Sequence, residues 1–269
     1  MSLRRLAERV DDRYWRRRTS AEVRSRNVIL TGFPRSGTSL FSALLGQLEN
    51  VVCLNEISPT PYHFHFFGRV RRRIERGRPV ANRYDGSGAL TTNTRESAVR
   101  IEERRVQVKD HKFVLAQKYT LPYLNYLERF CDEGWPVWVI VRDPRFALLS
   151  WKSCPPHWGI SRLLPPDELL AHIPFAEDDA DGRRVEVWNH YARRIDALRD
   201  RLRIVRYEDL VADPTAVMQS FCDAHGLSLP ADFDPDLHSR NRASAYAPDG
   251  ETLRRMAAER CELGLFGYR

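Results

Sequence analysis

The stretch from Arg26 to Leu48, RNVILTGFPRSGTSLFSALLGQL, constrains this chain more than any other. RNVILTG is a short β-branched apolar run, the pattern of a buried strand. SGTSLFSALLGQL carries Leu40, Leu44, Leu45 and Leu48 at helical spacing. Between the two lie Gly32 and Gly37 in a GxxxxG frame, followed by the hydroxyl residues Thr38 and Ser39. Such a loop turns its backbone N–H groups inward at the positive end of the helix, and a phosphate fits there.

The rest of the chain repeats the alternation. Further strands are predicted at VVCL (51–54), VQVKD (106–110), PVWVIV (136–141) and RLRIVRY (201–207). Helices are predicted at LPYLNYLERFCDE (121–133), at PRFALLSWK opened by Pro144, at 185–201, at 213–226 closed by Gly226, and near 250–262. Short apolar strands alternating with amphipathic helices imply a parallel sheet covered on both faces, an α/β fold of about five strands. Residues 57–104 interrupt the pattern with Pro59, Pro61, Pro79, Gly86, Gly88 and the cluster YHFHFF (62–67), and read as an inserted lid or acceptor-binding region. Residues 1–26 read as a basic N-terminal arm ahead of a domain spanning 27–269. Ligands of such sheets bind at the carboxyl ends of the strands, so the residues just after each strand carry the chemistry.

Composition narrows the classes. At 269 residues and 42% hydrophobic content the chain suits one α/β domain with insertions. No run approaches ~18 apolar residues, and the first residues lack an apolar signal core, so neither a transmembrane anchor nor a secretory signal is expected. Five cysteines without a CxxC pair argue against zinc and a disulfide framework and for reduced thiols in the cytoplasm. The net charge of +7 is concentrated: residues 1–27 and 68–78 each carry +5, which leaves the remainder at −3. This is an acidic body with two arginine patches, and no nucleic-acid partner is expected from it.

The loop is P-loop-like but departs from a Walker A motif, because Thr38 stands where the lysine belongs and the cation is Arg35. After the third predicted strand come Lys109, Asp110 and His111; after the fourth come Arg142, Asp143 and Pro144, with Ser150 on the next helix. Together these segments resemble the sulfotransferases that use 3′-phosphoadenosine 5′-phosphosulfate (PAPS). TGFPRSGTSL (31–40) resembles that family's 5′-phosphosulfate loop, VIVRDPRFALLS (139–150) its 3′-phosphate segment, VRYEDLVADP (205–214) its Tyr-Glu-Asp stretch near the adenine, and VKDHKF (108–113) its Lys-x-His strand end. The match runs from about residue 27 to 225 and more faintly to LGLFGYR at 263–269. The family's Lys-x-x-x-Thr-Val dimerisation segment and its Arg-Lys-Gly loop are absent; SRNR (239–242) offers a replacement for the latter.

The resemblance implies transfer of a sulfuryl group from PAPS to an acceptor hydroxyl, without a metal, leaving 3′-phosphoadenosine 5′-phosphate (PAP). It places Arg35, Ser36, Gly37, Thr38, Ser39, Arg142, Ser150 and Tyr207 around the donor. Lys109 and Arg35 would bear the developing charge and His111 would be the general base. Glu56, directly after the second strand, is the rival base, or a group that orients His111. Tyr62, His63, His65, His157 and Trp158 are candidates for the acceptor pocket. The aromatic lid suits a lipid, natural product or phenol, and the arginine patch a glycan. A Mg-dependent P-loop kinase and a non-catalytic nucleotide- or polyanion-binding protein are the competing readings.

Overall fold

The computed structural model describes residues 3–57, 62–84, 99–152, 180–236 and 251–269. At its centre is a five-stranded sheet of β1 (Asn27–Gly32), β2 (Val51–Asn55), β5 (Val114–Lys118), β6 (Val137–Val141) and β7 (Arg203–Arg206) in the order β2-β5-β1-β6-β7. All four pairings are parallel. The chain leaves β1 toward β2 on one side and returns to β6 on the other, so the crevice at β1 is the switch point where such sheets bind ligands.

β1, β5 and β6 are buried along their whole length. Their alternate residues feed two cores. Ile29, Leu54, Leu115 and Val139 pack beneath α5 (Leu121–Leu124), α6 (Leu127–Asp132), α7 (Pro144–Lys152) and α8 (Ala180–Ala197). Val28, Leu30, Ala116 and Ile140 pack against Phe41, Leu44 and Leu45 of α3 (Thr38–Leu45) and Met218 and Phe221 of α10 (Pro214–His225). Helices thus cover both faces, as the sequence predicts.

The third central strand is 114–118, not 106–110. Val106 and Val108 alternate with polar neighbours and are only half-buried, whereas Phe113–Lys118 is buried throughout. A strand between two neighbours in a doubly covered sheet must be apolar on both faces, and only FVLA meets that demand. The helix expected over 121–133 is two short ones, broken at Asn125 and Tyr126. Asn125 Oδ1 accepts the Tyr191 hydroxyl, and its carbonyl accepts Arg194 at 3.3 Å.

The region 57–104 is more regular than expected. Its aromatic–histidine cluster opens α4 (His63–Glu75), whose buried stripe is His63, Phe64, Phe67, Arg71 and Ile74. β3 (Val80–Tyr84) and β4 (Arg100–Arg104) pair antiparallel. Asn82 ties them to the edge of the main sheet: its side chain accepts the Asn55 N–H at 2.8 Å and donates to the Cys53 carbonyl at 2.7 Å. α1 (Leu3–Arg18) lies on α4, and α2 (Ala21–Ser25) leads into β1. α9 (Tyr207–Ala212) follows β7, and α11 (Glu251–Arg260) packs on α7. His157, Trp158, Cys154 and SRNR lie outside the described residues.

His225 closes the second core. Its Nε2 accepts the Trp138 indole N–H at 3.2 Å, and its ring sits 4.5 Å from that of Phe221. Burial, above all, and Arg203 hold its pKa down at about 4 against an ordinary 6.5, although a bond to the Ser25 backbone opposes them. The unfolded chain therefore binds the extra proton first, and stability falls as the pH drops from about 6.5 to about 4. The loss should reach roughly 2–3 kcal/mol. Urea denaturation across that range should show the loss in the parent, and His225→Gln, which keeps an acceptor but does not titrate, should flatten it.

Candidate active site

The loop between β1 and α3 is shaped by two glycines that no other residue replaces. A Cβ on Gly32 would overlap the Ile140 carbonyl oxygen of β6. Gly37 has φ +93°, and a Cβ there would run into the Tyr207 ring. Between them Arg35 has φ +68°, a left-handed conformation that costs a side-chain-bearing residue about 1–2 kcal/mol. The bend carries the Arg35 guanidinium to Ser150, with Nε 3.0 Å from Oγ, and turns its carbonyl to Arg142 Nη1 at 3.1 Å. Arg142 in turn lies over Tyr207, 4.3 Å from the ring centroid. Arg35, Gly37, Arg142, Ser150 and Tyr207, drawn from three segments of the sequence, thus form one connected cluster.

The Ser36 hydroxyl is fully buried in this loop and has no hydrogen-bond partner. Leaving a buried hydroxyl unmade is unfavourable by about 1–3 kcal/mol, which an anion accepting that hydrogen would recover. Thr38 and Ser39 open α3, so the first-turn N–H groups face the same space.

A second cluster adjoins the first. Lys118, the last residue of β5, is 1% exposed. Its Nζ is 2.6 Å from Glu56 Oε1 and 3.4 Å from Ser39 Oγ. The ammonium therefore joins the ends of β2 and β5 to the loop helix. Glu56 follows β2 with φ +51°, again left-handed without being glycine. Its N–H donates to the Lys118 carbonyl at 2.9 Å, and its own carbonyl accepts Arg83 of β3 at 3.3–3.4 Å. Strain of this kind persists only where surrounding contacts over-determine it, and it gathers at functional sites.

His111 and Lys109 are not part of this arrangement. They precede β5, so about 13 Å of strand separates their edge of the sheet from Lys118. Both are exposed. Lys109 pairs with Glu49, and the His111 carbonyl accepts Arg71 at 3.4 Å. Glu56 therefore does not orient His111. The alternating VQVK run, followed by a Lys-x-His, draws the predicted strand to 106–110 and hides Lys118; the fully apolar FVLA before Lys118 is the signal that locates it.

Asp143 and Asp110 are both engaged within the protein. Asp143 is held by Arg145 at 2.6 Å and receives the Arg145 N–H, while Asp110 lies at the amino edge on Asn50. Among the described residues no group of three or more His, Cys, Asp or Glu is placed to hold a metal. His63 is buried against Tyr123, Tyr126 and Phe130, and both ring nitrogens lack partners. Burial drives its pKa well down. His65 sits 3.5 Å from Asp11.

A parallel α/β sheet with a glycine loop and converging cations at its carboxyl edge defines a P-loop-like protein. The chain belongs to the Sulfotransferase family, whose sequence model matches residues 27–231. Membership implies sulfotransfer to a hydroxyl-bearing acceptor. No protein of curated function matches the sequence. Similar solved structures include the sulfotransferase domain from the curacin biosynthetic pathway, at 15% identity and TM-score 0.44 over 83% of this chain and 81% of that one. Another is the sulfotransferase domain of the Synechococcus PCC 7002 olefin synthase, at 16% identity and TM-score 0.44 over 86% and 94%.

The packing of Tyr207 on Gly37 is open to a direct test. Gly37→Ala should destabilise the chain by about 2–4 kcal/mol in urea denaturation, from the left-handed backbone and the clash together. Gly77 has φ +61° but open space around its Cβ position, so Gly77→Ala should cost only about 1 kcal/mol. Equal losses would mean that Tyr207 moves aside freely.

Proposed function

We propose that the chain transfers the sulfuryl group of PAPS to an acceptor hydroxyl, with Glu56 as general base and Lys118 as the principal cation at the reacting centre. The observation that carries this reading is the contact of Lys118 Nζ with Glu56 Oε1 and Ser39 Oγ, which puts a carboxylate, an ammonium and the loop at one edge of the sheet.

The residues present fit the donor. The loop N–H groups, the unpartnered Ser36 hydroxyl and Thr38 and Ser39 suit the 5′-phosphosulfate. Arg142 and Ser150 suit the 3′-phosphate, since a planar guanidinium gives paired hydrogen bonds to such a group. Tyr207, already stacked on Arg142, borders the adenine side. Bound there, PAPS supplies an activated sulfuryl group on a phosphosulfate anhydride. Glu56 accepts the proton from the acceptor hydroxyl as its oxygen approaches in line. Lys118 and Arg35 bear the negative charge that develops on the single oxygen bridging sulfur and phosphorus as its bond to sulfur breaks and PAP leaves. Lys118 does this at low cost because its buried ammonium is already paired and positioned. The family's acceptors are hydroxyl compounds. Cys53, Cys131, Cys222 and Cys261 are free thiols, which supports a cytoplasmic setting.

Calorimetry should show PAP binding without Mg and more tightly than ATP with Mg; the reverse ranking would favour a kinase. Arg142→Ala should weaken PAP by ~2–4 kcal/mol and leave adenosine 5′-phosphosulfate nearly unchanged. Equal losses for both ligands would remove Arg142 from the 3′-phosphate.

The base is tested by PAPS consumption with a panel of phenol, sterol, alkanol and glycan acceptors. Glu56→Gln should lower turnover by ~10²–10⁴-fold while PAP affinity stays within a few-fold. His111→Ala should leave turnover close to the parent's. A dead His111→Ala beside an active Glu56→Gln would return the role to the histidine.

A further inference from the structure

We propose that the outer face of α1 docks the protein on an anionic lipid bilayer. Four of the seven large apolar side chains exposed among the described residues lie on this one helix: Leu3, Leu6, Val10 and Tyr14, at 86%, 45%, 59% and 45% exposure. Their spacing of three, four and four residues sets them on a single stripe. The opposite face is the one that binds the protein. Asp12 is buried and accepts the His65 N–H at 2.9 Å, so that it caps the first turn of α4 from outside. Trp15 lies on Gly68, where a Cβ would overlap its ring, and under the Arg72 guanidinium at 4.6 Å. Arg16 pairs with Glu133. α1 is therefore a folded platform that presents the apolar stripe outward without further ordering.

The charge around the stripe selects its occupant. Arg9, Arg13 and Arg17 are exposed on the same helix and pair with no carboxylate among the described residues. A second copy laid on this face would set these arginines against their own kind. A nucleic acid would use the arginines but not the leucines and valine. An anionic bilayer uses both, the acyl boundary taking the apolar side chains and the headgroups the guanidinium groups. In the other arginine-rich segment, buried Arg71 holds Asn27 and the Phe113 carbonyl, and at the surface Arg73 holds the Pro79 carbonyl and Arg69 holds Asp11, so three of its arginines are already engaged by the chain. No helix among the described residues is long and apolar enough to cross a membrane, so the attachment is peripheral and reversible.

The test is co-sedimentation of the full chain with vesicles of phosphatidylglycerol and phosphatidylcholine, and with vesicles of phosphatidylcholine alone. Binding is expected to the first and not the second, with release at high salt. Leu6→Asp with Val10→Asp, and separately Arg13→Glu with Arg17→Glu, should each weaken it ~10-fold or more. Because all four side chains are exposed, both variants should keep the parent's circular dichroism and thermal midpoint, and unchanged PAP binding by calorimetry reports the donor site independently. Three results would overturn the proposal. One is no sedimentation with the anionic vesicles. Another is equal sedimentation of the Leu6/Val10 variant. The third is a lipid-free dimer, seen by sedimentation velocity, that the same substitutions dissociate.

Discussion

The burial of β1, β5 and β6 on both faces is the constraint from which the rest of the structure follows. With the backbone groups of these strands used in the ladder and their side chains in two cores, polar chemistry is confined to the strand ends. The two edges have then been put to different uses. At the amino edge Arg71 donates to Asn27, to the Arg26 and Phe113 carbonyls and, more distantly, to that of His111. Its guanidinium stacks on Phe113 at 4.1 Å, and burial lowers its pKa to about 10. That edge is locked. The carboxyl edge carries the cations whose contacts run through short loops.

Two of those loops hold side-chain-bearing residues in left-handed conformations, Arg35 at φ +68° and Glu56 at φ +51°. Each is fixed from several directions. Arg35 is clamped by Ser150 and Arg142, and Glu56 by Lys118 and Arg83. The second clamp explains what the insertion contributes. β3 pairs with β4, joins the β2 edge through Asn82 and carries Arg83 to the Glu56 carbonyl. Part of what composition marks as a lid is thus a brace for one carboxylate.

Much of the cluster around the glycine loop was legible in the sequence. The loop at 32–39, the Arg142–Ser150 pair and Tyr207 each sit beside a strand whose apolar run is unambiguous, so the strand end is placed correctly and its neighbours follow. The Lys118–Glu56 pair was not legible in the same way. Val106 and Val108 alternate convincingly with polar residues, and a strand drawn there delivers Lys109 and His111 to the wrong edge. The extent of α4 is hidden in the sequence for a related reason. HFHFF looks alternating over five residues, and its helical period emerges only when Phe67, Arg71 and Ile74 are counted, one of them an arginine in an apolar stripe.

By itself the sequence determined the α/β class, the glycine loop and the identity of most groups that line it, because these depend on local pattern: apolar runs that must be strands and glycines that must turn. The tertiary structure decided which carboxylate and which lysine meet. Lys118 and Glu56 stand 62 residues apart in the chain, and nothing local to either encodes the other. They are neighbours because β5 pairs in parallel with β2, Asn55 against Lys118, and the register of that pairing is a property of the packed sheet as a whole.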